Sequence, residues 1–475
     1  MKKNSFLSRF IGDKAFYKKI LIVAIPMVIQ NLITNFVSLL DNIMVGQVGT
    51  EQMSGVAIAN QLIFVFTLVI FGSLSGVGIF TAQFFGAGDE AGARATVRMK
   101  IVVGVIILGI FYLVAFLWGR ELISLFLTGD DAPEKVAITL SEGMRYLRIM
   151  FIGLPPFVAS QVYGSSLKEF GETRLPMQSG IIAVFVNLVG NYVFIFGHFG
   201  APAMGVAGAA LATVISRYVE AGIMMWETHR HVDRFTFMSG LFKHEKMPSG
   251  LVMDVIRKGV PLTINEFLWS AGMAAISQSY STRGLSAVAA VNINSTVTSL
   301  FSIMFFSFGT VISIFVGQAL GSGDMEEARI TDSRIMTFSL SVSAVTGLVS
   351  FVLSPLFPQL YNVTDEVKEL AIQLLRIASL CMPIGALVHS CYFTLRTGGK
   401  TLITFLFDSV FLCLVAYPTS FILSRFTDMP LKSMFLCINL LDLIKIAIGL
   451  ILVGKGVWLN NLVEDKSTKS PETQN

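Results

Sequence analysis

Gln83-Phe-Phe-Gly-Ala-Gly-Asp-Glu-Ala-Gly-Ala-Arg94 returns later in the chain as Gln318-Ala-Leu-Gly-Ser-Gly-Asp-Met-Glu-Glu-Ala-Arg329, with six of twelve positions identical at an offset of 235 residues. A second match lies further along each half. Leu147-Arg148-Ile149 reappears as Leu375-Arg376-Ile377, and Pro155, Leu167, Gly171 and Thr173 reappear as Pro383, Leu395, Gly399 and Thr401, all at an offset of 228. The chain is one unit written twice, with a single seven-residue indel between the two matches. In membrane proteins such duplication marks a transporter whose substrate site lies between the repeats.

Composition agrees with that reading. Of 475 residues, 53% are hydrophobic and 14% charged, and the mean hydropathy is +0.70. The apolar residues come in long runs separated by short polar breaks, as bilayer-spanning helices require. Spans are expected near 20–45, 54–82, 100–118, 137–163, 176–197, 204–227, 255–281, 288–318, 335–355, 367–395, 402–424 and 431–454. Six spans per half is an even number, so both copies insert the same way up, related by an approximate two-fold axis along the membrane normal. The expected fold is an all-α integral membrane protein of twelve transmembrane helices in two homologous six-helix lobes with a central cavity. Residues 1–228 form the first lobe, 229–250 a charged cytoplasmic linker, and 251–475 the second lobe.

The net charge of +4 is modest and the basic residues are scattered, which excludes a nucleic-acid partner. Cys381, Cys391, Cys413 and Cys437 all fall in apolar segments without metal-ligand spacing and read as packing residues. The polar N-terminus leads into a full-length span rather than a short cleavable signal. Lys and Arg number 24 on the side holding both termini and six on the other, which places both termini in the cytoplasm. The repeated Gly-x-Gly-Asp segments then lie at the cytoplasmic ends of spans 2 and 8. Glycine there can stop a helix in a left-handed conformation, and Asp can cap the next one, with capping-box spacing in Asp324-Met-Glu-Glu327. No Lys-Ser/Thr or strand accompanies them, so they are not phosphate loops.

Ionisable groups inside spans cost about 3 kcal/mol on insertion scales, so each is a functional hypothesis. In span 1, Asn31, Thr34, Ser38 and Asp41 recur at helical spacing, with Asn35 and Asn42 alongside. One face of an apolar helix is thus polar along its outer half, which suits a water-filled cavity. Asp41 lies five residues from Gly46 at the outer end, about 8 Å along the axis. Asn60 and Gln61 in span 2, and Asn187 and Asn191 in span 5, reach a similar depth. A carboxylate ringed by amides either takes up a proton near neutral pH or holds a small hard cation when ionised. The bland alternative is a hydrogen-bond network that glues helices together. In span 7, Asn265 and Glu266 follow Pro261, with Glu266 near the bilayer centre. Pro26 and Pro261 occupy equivalent places and can free backbone carbonyls beside a cavity. Asp408, the Asp442/Lys445 pair and the Arg217/Glu220 pair are weaker candidates, since each pair has i, i+3 spacing and can neutralise itself. Arg148 and Arg376 are equivalent between halves and read as structural. No nucleophile, metalloenzyme or nucleotide motif occurs, so no enzyme activity and no cofactor are expected.

This pattern resembles the MATE (multidrug and toxic compound extrusion) transporters of the MOP superfamily, of bacterial type. The resemblance rests on Ile25-Pro26, Leu40-Asp41-Asn42-Ile43-Met44-Val45-Gly46, Ala59-Asn60-Gln61, the Gln-x-x-Gly-x-Gly-Asp segments, Tyr146-Leu147-Arg148-Ile149, Asn187-x-x-x-Asn191 and Arg396-x-Gly-Gly-x-Thr401. It implies a two-lobe antiporter of the cell (inner or plasma) membrane, driven by inward H+ or Na+, that exports organic cations and other amphipathic small molecules by rocker-switch alternating access. Asp41 matches the family's coupling acid in span 1, with Asn60, Asn187 and Asn191 as cation-coupling partners and Na+ as a candidate ligand. Thr34, Ser38, Gln61, Asn265 and Glu266 are the expected substrate-cavity residues. A monomer is expected. The alternative is a lipid-linked oligosaccharide flippase of the same superfamily, whose groove should present cations to a pyrophosphate.

Overall fold

A computed structural model describes residues 9–125, 133–243, 249–361 and 363–464; the side chains of residues 38, 39, 42, 43, 50 and 249 lie outside that description. Among the described residues the chain forms long helices and no strand. The first half contains α1 (Lys14–Gly46), α2 (Thr50–Gly86), α3 (Glu90–Ser124), α4 (Pro133–Glu169), α5 (Arg174–Phe196) and α6 (Val206–Arg230). The second contains α7 (Ser249–Ser281), α8 (Leu285–Gly321), α9 (Met325–Leu353), α10 (Asp365–Thr397), α11 (Thr401–Phe426) and α12 (Leu431–Gly454). Each expected span falls on one of these helices. Ten are long and apolar enough to cross a membrane. The other two, α4 and α7, have 37 and 33 residues and are diluted by charges such as Glu142, Arg145, Asp254, Arg257 and Lys258. The longest helices have 37 residues, or about 55 Å, against a hydrocarbon core of about 30 Å. They therefore outrun the apolar stretches visible in sequence by a turn or more. Phe116, Val352, Leu380 and Leu414 stand bare on helix surfaces, which is stable only against lipid. The protein is an all-α, multi-pass membrane protein.

Two compact units divide the chain. One comprises Met1–Val28, Ile79–Asp89 and Met253–Asn475; the other comprises Ile29–Gly78 and Glu90–Val252. These units differ from the 1–228 and 251–475 halves at two segments, because packing cuts through α1 and α2. Ile20, Val23, Ala24 and Met27 of α1 share a core with Phe308, Val311, Ile312 and Ala386. The cause at α2 is close backbone approach. A Cβ on Gly86 would lie 2.0 Å from the carbonyl oxygen of Gln318, and one on Gly321 would lie 1.9 Å from that of Gln83. Ala82 meets Gly317 in the same contact. Ala82-x-x-x-Gly86 and Gly317-x-x-x-Gly321 therefore cross as small-xxx-small pairs, each copy of the repeated motif seated on the other.

The rest of the motif behaves as its glycines suggest. Gly88 and Gly323 take φ of 72° and 82°, ending α2 and α8 in left-handed turns. Asp324 caps α9 by accepting from the Glu327 amide at 2.9 Å. The reciprocal half of the capping box is replaced, because Glu327 Oε1 accepts from Thr331 instead.

The segment expected to be a linker is packed over much of its length. Phe235, Phe237, Met238 and Leu241 are buried in the core of the Glu90–Val252 unit, with Phe237 stacked on Phe170 at 3.8 Å. Arg98 donates to the carbonyls of Gly240 and Leu241, each at 2.6 Å. Residues 244–248 lie outside the described residues.

Candidate functional sites

In the first repeat, α1 and α5 bring a carboxylate against two amides. Asn191 Nδ2 donates to Asp41 Oδ1 at 2.6 Å. With the Asn187 amide turned to satisfy both its atoms, its nitrogen donates to both Asp41 oxygens at 2.9 Å and its oxygen accepts from Thr213 at 3.2 Å. Asn187 and Asn191 sit one turn apart on α5, so both reach the same acid. Asn191 is 1% exposed, and its Oδ1 has no hydrogen-bond partner. Among the described residues, no Lys or Arg nitrogen lies within 4.0 Å of Asp41. The site is an acid, an orphan amide oxygen and amide dipoles, a set that can accept a proton or a small monovalent cation.

Asn60 and Gln61 are exposed on α2, and Asn60 hydrogen-bonds Tyr146 of α4. Thr34 is exposed on α1. Ser38's side chain lies outside the described residues. Thr213 was not singled out from sequence and Tyr146 was quoted only within a family motif, since neutral hydroxyls in apolar helices carry no charge signal.

The second repeat joins Asn265 and Glu266 to a larger, charge-compensated cluster. Glu266 Oε1 accepts from the Tyr392 hydroxyl at 3.1 Å and faces Arg396 Nη1 at 3.4 Å. Arg396 also donates to Tyr392 at 3.1 Å and lies over the Phe393 ring. Asn265 donates to Tyr392 and to Asp408 Oδ2, each at 3.2 Å. Asp408 Oδ1 in turn holds Lys445 Nζ at 2.8 Å. The Asp442/Lys445 pair expected from spacing is not the direct ion pair: Lys445 reaches across to α11, where Asp408 presents a carboxylate, and Asp442 feels its charge at longer range. What points Asp408 there is local. α11 contains two successive π-helical turns, Leu406–Val410 and Leu412–Ala416. Such turns disturb the i→i−4 pattern, and Asn265 Oδ1 accepts the Ser409 N–H at 3.3 Å and its hydroxyl at 2.8 Å. Asn265 is therefore less a free cavity lining than the clamp on a widened helix. Among the described residues no cluster of three His, Cys, Asp or Glu could hold a metal.

Comparison with known proteins gives one family. The MatE profile matches residues 26–193 and 261–422, one copy in each repeat. Over 418 residues the chain is 25% identical to the probable multidrug resistance protein NorM of Thermotoga maritima, covering 87% of both chains. It is 26% identical over 372 residues to the multidrug resistance protein MdtK of Yersinia pseudotuberculosis, covering 76% of this chain and 78% of the relative. Among solved structures, a multidrug resistance MATE family transporter in an outward-facing conformation matches with a TM-score of 0.84 at 18% identity, over 96% of this chain and 99% of the other. A MOP superfamily transporter from Pyrococcus furiosus, described by a reversed polarity of its binding pocket, matches at 0.80 and 18%, with the same coverage. At that identity the structural likeness speaks for the fold.

Proposed function

This chain belongs to the MatE family, and from that premise we propose that it is a cation-coupled antiporter exporting organic cations and other amphipathic compounds across the cell membrane. H+ or Na+ is the coupling ion, and Asp41 is its seat. The observation that carries the proposal is Asp41 itself, a part-buried carboxylate in a spanning helix, held by Asn187 and Asn191 with, among the described residues, no Lys or Arg nitrogen within 4.0 Å. Burying such a charge unpaired is unfavourable, so the group is poised to bind whichever small cation arrives. Exchange of ion for substrate follows if the two prefer opposite states of a rocker-switch cycle, because coupling equals the difference in their affinities for those states. Both termini are cytoplasmic on the Lys and Arg asymmetry, and the transporter acts as a monomer. The flippase alternative needs cations facing a pyrophosphate, whereas Arg396 and Lys445 face Glu266 and Asp408.

The test is efflux of an ethidium-type dye from vesicles carrying imposed pH or Na+ gradients. Asp41→Asn keeps the shape of the site and removes its titratable charge. Gradient-driven efflux should fall at least tenfold under whichever gradient drives the wild type. Unchanged efflux under both gradients removes Asp41 from coupling.

A further inference from the structure

A second acid is buried where neither the amides of the first repeat nor the ion pairs of the second reach it. Asp332, on the second turn of α9, is 1% exposed. Among the described residues, no Lys or Arg nitrogen lies within 4.0 Å of it. Its partner is Thr394 of α10, whose hydroxyl oxygen lies 2.6 Å from Asp332 Oδ1 and 3.0 Å from the Ser390 carbonyl oxygen. One hydroxyl has one proton. If Thr394 gives it to an ionised Asp332, the carboxylate is left buried with a single neutral donor and no counter-charge. If Asp332 is a carboxylic acid, it donates to Thr394, which donates to Ser390, and every proton has an acceptor. The second arrangement satisfies the geometry.

The repeat supplies an internal control. At the 228 offset Thr394 corresponds to Ser166, which takes Lys100 of α3 at 3.3 Å. Both repeats thus aim an ionisable residue of the third helix at a hydroxyl of the fourth. Lys100, fully buried, is matched by Glu169 at 2.6 Å. Thr397 stands where Glu169 would be, and among the described residues the second repeat puts no Lys or Arg nitrogen within 4.0 Å of Asp332. The surroundings of Asp332 offer little else. α8 carries no Asp, Glu, Lys, Arg or His at all. On α10, Cys391 is the titratable neighbour, and Arg396 is committed to Glu266 and Tyr392. On α9 itself, Arg334 lies over Phe16 and Arg329 reaches toward Gly456. On α1, which packs on α9 through Tyr17 and Phe338, Lys19 lies over Phe315.

We propose that Asp332 is a second proton-binding site, protonated in this state, that exchanges its proton during transport. The exchange rests on the transport reading above; the bound proton does not. Two measurements on the full-length protein test them separately. In purified protein at pH 7, the infrared difference between wild type and Asp332→Asn should contain the C=O band of a protonated carboxyl. Carboxylate bands in its place overturn the bound proton. In proteoliposomes with a pH gradient, Asp332→Asn, which mimics the acid but cannot ionise, should lose at least tenfold in dye efflux while matching wild type in thermal stability. Wild-type efflux and pH profile in that variant overturn the exchange. Absence of efflux from the wild type itself sinks the transport reading and leaves the infrared result standing.

Discussion

At the scale of single residues, the membrane makes the pairing of each buried charge the quantity that matters. Lys100 and Glu169 lock α3 to α4, with Ser165 and Ser166 taking the remaining ammonium protons. Removing the acid leaves Lys100 a buried charge without its counter-ion, which costs roughly 3–5 kcal/mol, while removing both is nearly neutral. Glu169→Leu should therefore lower the thermal stability of the detergent-solubilised protein sharply, and Glu169→Leu with Lys100→Met should restore most of it. A single variant as stable as wild type would show that the pair is solvated. Charge is also what made some residues readable in advance. Asp41, Asn187 and Asn191 stood out in sequence because polar groups at helical spacing in apolar spans have few bland explanations. Tyr392 and Thr213 did not, since neutral hydroxyls carry no such signal, and Arg396 lies one residue beyond the expected span 10 and read as part of a loop motif. Lys445 was matched to Asp442 because spacing sees neighbours three residues away, but not Asp408, 37 residues away.

Helices show the same limit at the next scale. Their number and order were legible, because twelve apolar runs and a duplicated motif leave little choice. The reason for the motif was not. Its glycines looked like helix stops, which Gly88 and Gly323 are; Gly86 and Gly321 instead let two backbones touch. A side chain there has no rotamer that avoids the facing carbonyl, so the helices must part. Gly321→Val is expected to abolish the monodisperse folded species in size-exclusion chromatography. Gly323→Ala should cost only the ~1–2 kcal/mol of a left-handed residue and leave a folded protein. Equal behaviour of the two variants would refute the crossing. The π turns of α11 were likewise invisible, because nothing in Leu406-Phe-Asp-Ser-Val410 signals a widened turn. Ser409 in the first of them is held by Asn265, a residue 144 positions earlier.

For the molecule as a whole, the repeat in sequence and the compact units in space do not share a boundary, and that mismatch has a consequence. The unit built on Met253–Asn475 is completed by the first turns of α1 and the last turns of α2. Gln83, fully buried, donates to the carbonyls of Thr397 at 3.2 Å and Asn460 at 3.3 Å, and accepts from the Leu462 amide at 2.7 Å. Trp458 lies against Gly398, so the C-terminal segment closes over the ends of α2 and α10 together. Between helices in lipid there is no hydrophobic drive to substitute for such contacts, which act through packing and hydrogen bonds alone. A second half expressed by itself thus lacks the partners of Gly317, Gly321, Thr397 and Asn460. Cutting the gene within residues 244–248 therefore tests the architecture. Residues 249–475 alone should aggregate or be degraded, and co-expression with residues 1–243 should restore a single folded species. Co-expression with a first half carrying Gln83→Leu should restore less of it, because a buried amide with three backbone partners has gone. If the second half alone ran as a stable, monodisperse species with the thermal stability of the intact chain, the segments of α1 and α2 would be passengers, and the repeat boundary would be the true division of the protein.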